Sequence, residues 1–170
     1  SALATLSAPP AAAVVTISVG TAVGIDGTDD TCSLLEAFQV VDAALSSVSI
    51  TNDCYSGTPN FPITIELESD ETYTLTSNPS SNWTNQDANT AFPVLSGSTV
   101  ELTIQGNGAT IERASAASDQ FRFFIVRDGA QLSLHNVTLQ NGDAPGSDGG
   151  AIRASNNATL TITGSTFSQN

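Results

Sequence analysis

Seven side chains in the second half of the chain carry the charge that acid–base chemistry on a sugar polymer would need: Asp119, Arg122, Arg127, Asp128, Asp143, Asp148 and Arg153. A polysaccharide lyase wants clustered carboxylates for calcium with a Lys or Arg base, and a hydrolase wants two acids facing each other across the sugar. The spacing of these seven matches neither arrangement, so they read as turn residues and surface ion pairs. His135, the single histidine, stands between Leu134 and Asn136 in an alternating run that turns it outward, and no triad follows from its position. Asp26, Asp29 and Asp30 crowd one turn where calcium could sit, yet the D-x-D-x-D-G spacing is missing, and Asx turns and charge at a helix N-terminus are the favoured reading. Trp83, in the polar segment SSNWTNQD, would stack on a sugar if exposed and would cover core if folded back. No catalytic set and no cofactor are expected from these residues.

The charge balance narrows the partners. Asp and Glu number 17 against 4 basic residues, all Arg, for a net charge of −13. Without a cationic stripe the chain cannot neutralise phosphates or grip an anionic bilayer, which argues against nucleic acid and lipid partners. No run of 18 apolar residues exists, so no membrane insertion is expected. Ser and Thr supply 42 of the 170 residues and only 12% are charged, a hydroxyl-rich composition that favours strands over long helices. Ser1 to Ala13 resembles the small-residue end of a signal peptide, which suggests a processed, exported chain. In that setting Cys32 and Cys54 are expected to pair, closing a loop of about 20 residues for roughly 3 kcal/mol; two buried thiols are the alternative. Two cysteines with one distant histidine cannot build a zinc site.

The elements that must position these groups fall into three parts. Residues 1–19 form an apolar tail ending in the strand-like Val14 to Val19. Residues 20–61 form a capping region. Ser33 and Glu36 make an S-x-x-E capping box there, and Leu34, Phe38, Val41 and Leu45 follow at helical spacing, predicting a helix over 33–45 with one apolar stripe. Residues 62–170 change to short alternating runs broken by Gly, Asn and Ser. Within them LTIQGNGATI, LSLHNVTLQN and LTITGSTFSQN align from Leu102, Leu132 and Leu160, 30 and 28 residues apart, with Gly or Asn at matching places. Such a period made of short strands predicts an all-β fold, a right-handed parallel β-helix (solenoid) with one short N-terminal capping α-helix. A sandwich would need hairpin turns that are scarce here. Thr103, Ser133 and Thr161 fall in one outward column, too narrow for an ice-binding plane.

Cys32 to Leu45, CSLLEAFQVVDAAL, resembles the CSLREA-type segment that opens many bacterial cell-surface β-helix proteins, with Leu35 where that family usually has Arg. Cys54 and the run Ile63 to Thr76 look like its continuation. Gly149 to Ile152 and Phe167 to Asn170 match the GGAI and FxxN signatures of the polymorphic outer-membrane-protein repeat. The resemblance covers most of residues 15–170. It implies a secreted or surface β-helix of bacterial-type export, sometimes an adhesin, with no shared catalytic site.

The leading expectation is a non-catalytic extracellular structural subunit whose copies associate head to tail into a fibre or surface layer. Phe167 and Asn170 mark the last repeat, whose edge would be open, and Val14, Val15, Ile17 and Val19 offer a strand to cover it. A carbohydrate-binding or adhesin module centred on Trp83, meeting extracellular polysaccharide, is the second reading. Polysaccharide cleavage is the third.

Overall fold

The period in the sequence becomes strand pairing. A computed structural model describes residues 13–25, 30–144, 146 and 149–170. Its elements in chain order are β1 (Val15–Ser18), α1 (Leu34–Ser46), β2 (Ile50–Thr51), β3 (Ser56–Gly57), β4 (Ile63–Glu66), β5 (Thr72–Leu75), β6 (Leu95–Ser96), β7 (Glu101–Gln105), β8 (Thr110–Arg113), β9 (Phe124–Arg127), β10 (Gln131–His135), β11 (Thr138–Gln140), β12 (Ile152–Ala154), β13 (Thr159–Thr163) and β14 (Thr166–Ser168). β2 and β3 make a short antiparallel pair. Every other pairing between strands is parallel, in three sheets ordered β1-β4-β7-β10-β13, β5-β8-β11-β14 and β6-β9-β12. From β4 onward the chain visits the three sheets in a fixed cycle, so each strand pairs with its counterpart one repeat away. The described residues are thus mostly strands in parallel sheets, with a single α-helix.

The register stacks like on like. Leu102, Leu132 and Leu160 stand opposite one another, as do Ile104, Leu134 and Ile162. Leu139 lies between Ile111 and Phe167 in the second sheet. Alternation sends these side chains inward and the hydroxyl residues outward, which is why Leu132, Leu134 and Leu139 have no solvent exposure. Burying each such side chain is worth about 1.5–3 kcal/mol, and this term holds the sheets face to face. The matching Gly and Asn of the sequence repeat sit at a corner that demands left-handed backbone: Asn136 has φ 50° and Gly164 φ 62°. Between β7 and β8 the corner is two residues longer, the left-handed positions are Asn107 and Gly108, and this accounts for the spacing of 30 rather than 28.

The predicted helix forms with its capping box complete. Ser33 Oγ accepts from the Glu36 amide at 3.3 Å, and the Ser33 amide donates to Glu36 Oε2 at 3.0 Å. Leu34, Phe38 and Val41 are fully buried, and Phe38 stacks on Phe92 with ring centroids 3.8 Å apart. The burial goes further than a single stripe predicts: Leu35, Ala37, Val40 and Ala43 on other faces are buried too, and Leu45 is only partly so. Neighbouring segments clasp the outer faces. Leu34 and Leu35 donate their amides to the Ala22 and Val23 carbonyls, Asn52 Nδ2 reaches the Glu36 carbonyl, and Asp42 accepts from the amides of Thr84 and Asn85. The Cys32–Cys54 disulfide is formed, with the two Cα atoms 4.6 Å apart, and ties the helix start to the segment after it.

The first strand is an integral part of the first sheet. β1 pairs with β4, the Val15 and Val19 amides donate to Pro62 and Glu66 carbonyls, and Ile17 and Val19 are buried. Within Val14 to Val19 the side chains of Ile17 and Val19 are thus part of the chain's own core, and Val14 is well exposed. Residues 1–12 of the apolar tail lie outside the described residues.

Leu134→Ala deletes a side chain packed from both sides, and a loss of about 2–5 kcal/mol is expected in chemical denaturation, against less than about half of that for the half-exposed Ile162→Ala. Equal costs would refute the stacking account. Reducing the disulfide is expected to remove about 3 kcal/mol, readable as a lower denaturation midpoint in reductant.

Candidate functional site

The charged groups picked out by sequence separate into three places. One set converges on a corner of the third sheet. Asp128, at φ 57° in the turn after β9, accepts from Ser96 Oγ at 2.7 Å and from Asn156 Nδ2 at 3.0 Å, so one carboxylate links three successive repeats. The Ser96 and Asn156 hydrogen bonds, with the Arg127 charge 3.4 Å away, hold the Asp128 carboxyl below its ordinary value. Both hydrogen bonds favour the ionised form of this carboxylate. Ser96 and Arg127 also line a polar cleft of about 400 Å³ with Thr84, Asn85 and Gln86.

A second set ties loops together. Arg113 donates to the carbonyls of Asn141, Ala117 and Asp119 and lies 3.9 Å from Asp143, which also accepts from Gln120. Asp119 accepts from the Asn78 amide. Arg113 was invisible as a tie in the sequence because its partners are mostly backbone carbonyls, which carry no residue-type signal. The remaining charges are dispersed. Arg122 is sealed at 1% exposure, beyond reach of a polymer, Arg153 lies exposed on β12, and Asp148 is outside the described residues. His135 faces outward between Gln105 and Thr163, with no carboxylate at either register position.

Trp83 departs from the sugar-platform expectation. Its side chain is 3% exposed within the core cluster, and its indole N–H donates to the Ala91 carbonyl at 2.7 Å. Apolar area and a buried acceptor together outweigh what an isolated exposed ring would gain, so no stacking face remains. Of the calcium candidates, Asp26 and Asp29 lie outside the described residues and Asp30 is exposed. Among the described residues no group of three or more His, Cys, Asp or Glu is placed to hold a metal. The outward hydroxyl column is longer than the sequence alignment implied: Thr16, Thr64, Thr103, Ser133 and Thr161 stand in register, and Thr72, Thr110, Thr138 and Thr166 make a second column on the next sheet.

The two ends of the sheets differ. At one, α1 packs Phe38 against Phe92 and Phe124 and closes the core. At the other, β13 and β14 pair on one side only among the described residues, and Ile162 and Phe167 are 45% and 40% exposed. Asn170 turns back on its own chain, donating to the Leu139 carbonyl at 2.9 Å and accepting from the Gly142 amide at 2.7 Å, so it is not presented to a partner. No family model, no curated protein and no solved structure matches the chain.

The lowered Asp128 carboxyl adds stability above the unfolded carboxylate range, and that contribution disappears as pH falls through its folded value. Asp128→Asn is therefore expected to melt below wild type at pH 6, with the gap shrinking toward zero below about pH 4. A gap independent of pH, measured by thermal melts across this range, would refute the assignment.

Proposed function

We propose that this chain is a right-handed parallel β-helix that serves as a non-catalytic, exported structural subunit and associates end to end through its open sheet edges. The observation that carries the reading is the ladder of the first sheet: among the described residues β1 and β13 are its outer strands, they carry apolar residues in the same columns, and Ile162 and Phe167 are exposed. An open edge of parallel strands is a template for another strand, and burying its apolar residues adds a driving force. The ladder supplies the matching geometry. Val15 and Ile17 of β1 occupy the same columns as Leu160 and Ile162 of β13. Setting β13 of one copy against the free edge of β1 in the next continues the first sheet without a change of register. Such a contact is heterologous and propagates into a filament.

Supporting facts from outside the edge are few but consistent. The disulfide points to an oxidising environment, as export would provide. Among the described residues no helix is long and apolar enough to cross a membrane. The resemblance of Cys32 to Leu45 to the opening segment of CSLREA-type surface proteins favours the cell surface as destination. The net charge of −13 opposes non-specific clumping and leaves association to the uncharged edges.

One sheet edge buries little area, so the association is expected to be weak and concentration-dependent, with assemblies larger than a monomer in sedimentation velocity at about 200 µM. Ile162→Lys with Phe167→Lys, or Thr16→Pro on the facing edge, should return the protein to monomer with its melting behaviour kept. A wild-type chain that stays monomeric there, or assemblies indifferent to all three substitutions, would overturn the reading.

A further inference from the structure

The first sheet starts one strand earlier than the second. β1 lies above β4, whereas β5, which follows β4 in the chain, is the outermost strand of its own sheet among the described residues. The segment after β1 should by the cycle of the fold run over β5 as a strand. It is diverted instead. Tyr73 of β5 donates its buried hydroxyl to the Gly20 carbonyl at 2.8 Å, and beyond that point the carbonyls of Ala22 and Val23 are committed to the first amides of α1. Serving the helix and pairing with β5 are mutually exclusive uses of the same backbone. Beside it lies a groove of about 470 Å³ lined by Val23, Gly24 and Leu35, by Thr74 and Leu75 at the end of β5, and by the segment that follows from Thr76 to Asn82.

The base of that groove is a strand edge with a known phase. The Thr110 amide donates to the Glu71 carbonyl and the Ala114 amide to the Leu75 carbonyl, so residues 71, 73 and 75 face β8. In a parallel ladder the alternate residues Thr72, Thr74 and Thr76 then direct both N–H and C=O away from β8, and Thr74 and Thr76 line the groove. Two carboxylates lie next to its lining residues. Thr74 Oγ1 donates to Glu112 at 2.8 Å, and the Asn78 amide donates to Asp119 at 3.1 Å. The neighbouring cation, Arg113, is engaged by the carbonyls of Asn141, Ala117 and Asp119 and faces Asp143.

We propose that this groove binds an extended peptide of a basic partner protein by strand addition to β5, with alternate apolar side chains against Val23 and Leu35 and a Lys or Arg near Glu112 and Asp119. The backbone edge supplies affinity, the apolar wall sets the alternation, and the carboxylates select the sign of charge. Another copy of this chain does not fit the description. It has no Lys, and its four Arg lie in β8, β9 and β12 or directly before β9, within its own sheets. The proposal concerns the edge of β5, whereas the end-to-end reading concerns those of β1 and β13, and a peptide bound here is told from self-association by the residues whose NMR shifts move.

The test uses the 170-residue chain and the acetylated, amidated hexapeptide Lys-Val-Thr-Val-Thr-Lys in isothermal titration, with NMR shifts to locate it. Saturable binding below about 1 mM is expected, weakening at least about tenfold when alternate peptide amides are methylated or when both Lys become Glu. Thr74→Pro removes a groove-facing N–H while keeping the ladder to β8, as Pro on a strand edge can, and should cost a similar factor. Glu112→Gln should reduce the salt dependence of binding. No saturation by about 5 mM, equal binding of the methylated or acidic peptide, or shifts confined to residues away from 72–78 would each overturn the proposal.

Discussion

Everything in this molecule depends on inward side chains of successive repeats resting on one another in register. Leu134 is held between Ile104 and Ile162, and Leu132 between Leu102 and Leu160, because parallel strands pair without offset in every repeat. A slip by one residue would turn Leu132 and Leu134 to solvent and bring Ser133 and His135 into the core, so the register is enforced by the burial it creates. The same arrangement makes every repeat incomplete alone. Each apolar layer needs one above and one below, and the terminal layers must be covered by something of a different kind.

At one end that cover is α1, and its placement has a cost borne by the strands. The carbonyls of Ala22 and Val23, in the segment after β1, accept the first amides of the helix, Cys32 is pinned to Cys54, and Asp42 accepts two amides from the 84–85 loop. The helix becomes buried on nearly all faces and the aromatic cluster around Phe92 is sealed. Among the described residues the second sheet begins with β5, one strand later than the first, and the groove lies at that step.

Much of the fold was legible in the sequence because its signals are local. The S-x-x-E box, the Leu34–Phe38–Val41 spacing, the paired cysteines and the aligned Leu, Ile and Gly/Asn positions each depend on residue type at short range, and each reappears at the expected place. The surface was less legible. Trp83 in a polar segment gave no sign that its ring would be drawn under Ala91, and Val14 to Val19 looked like a strand without disclosing which strand it would pair with. The Asp128 corner was missed because Ser96, Asp128 and Asn156 lie about 30 residues apart and meet only when three repeats are stacked.

The sequence by itself determined the repeat, the alternation of inward and outward side chains, the capped helix and a net charge of −13. Those properties follow from periodicity and composition, which require no knowledge of long-range contacts. Only the tertiary structure decided that β1 belongs to the chain's own first sheet, that Trp83 is core, which carboxylate is saturated with donors, and that β5 rather than β1 bounds the lateral groove. Each of these is a competition between alternative partners for the same hydrogen-bonding group or apolar face. Its outcome depends on where distant segments meet, which short-range patterning does not encode.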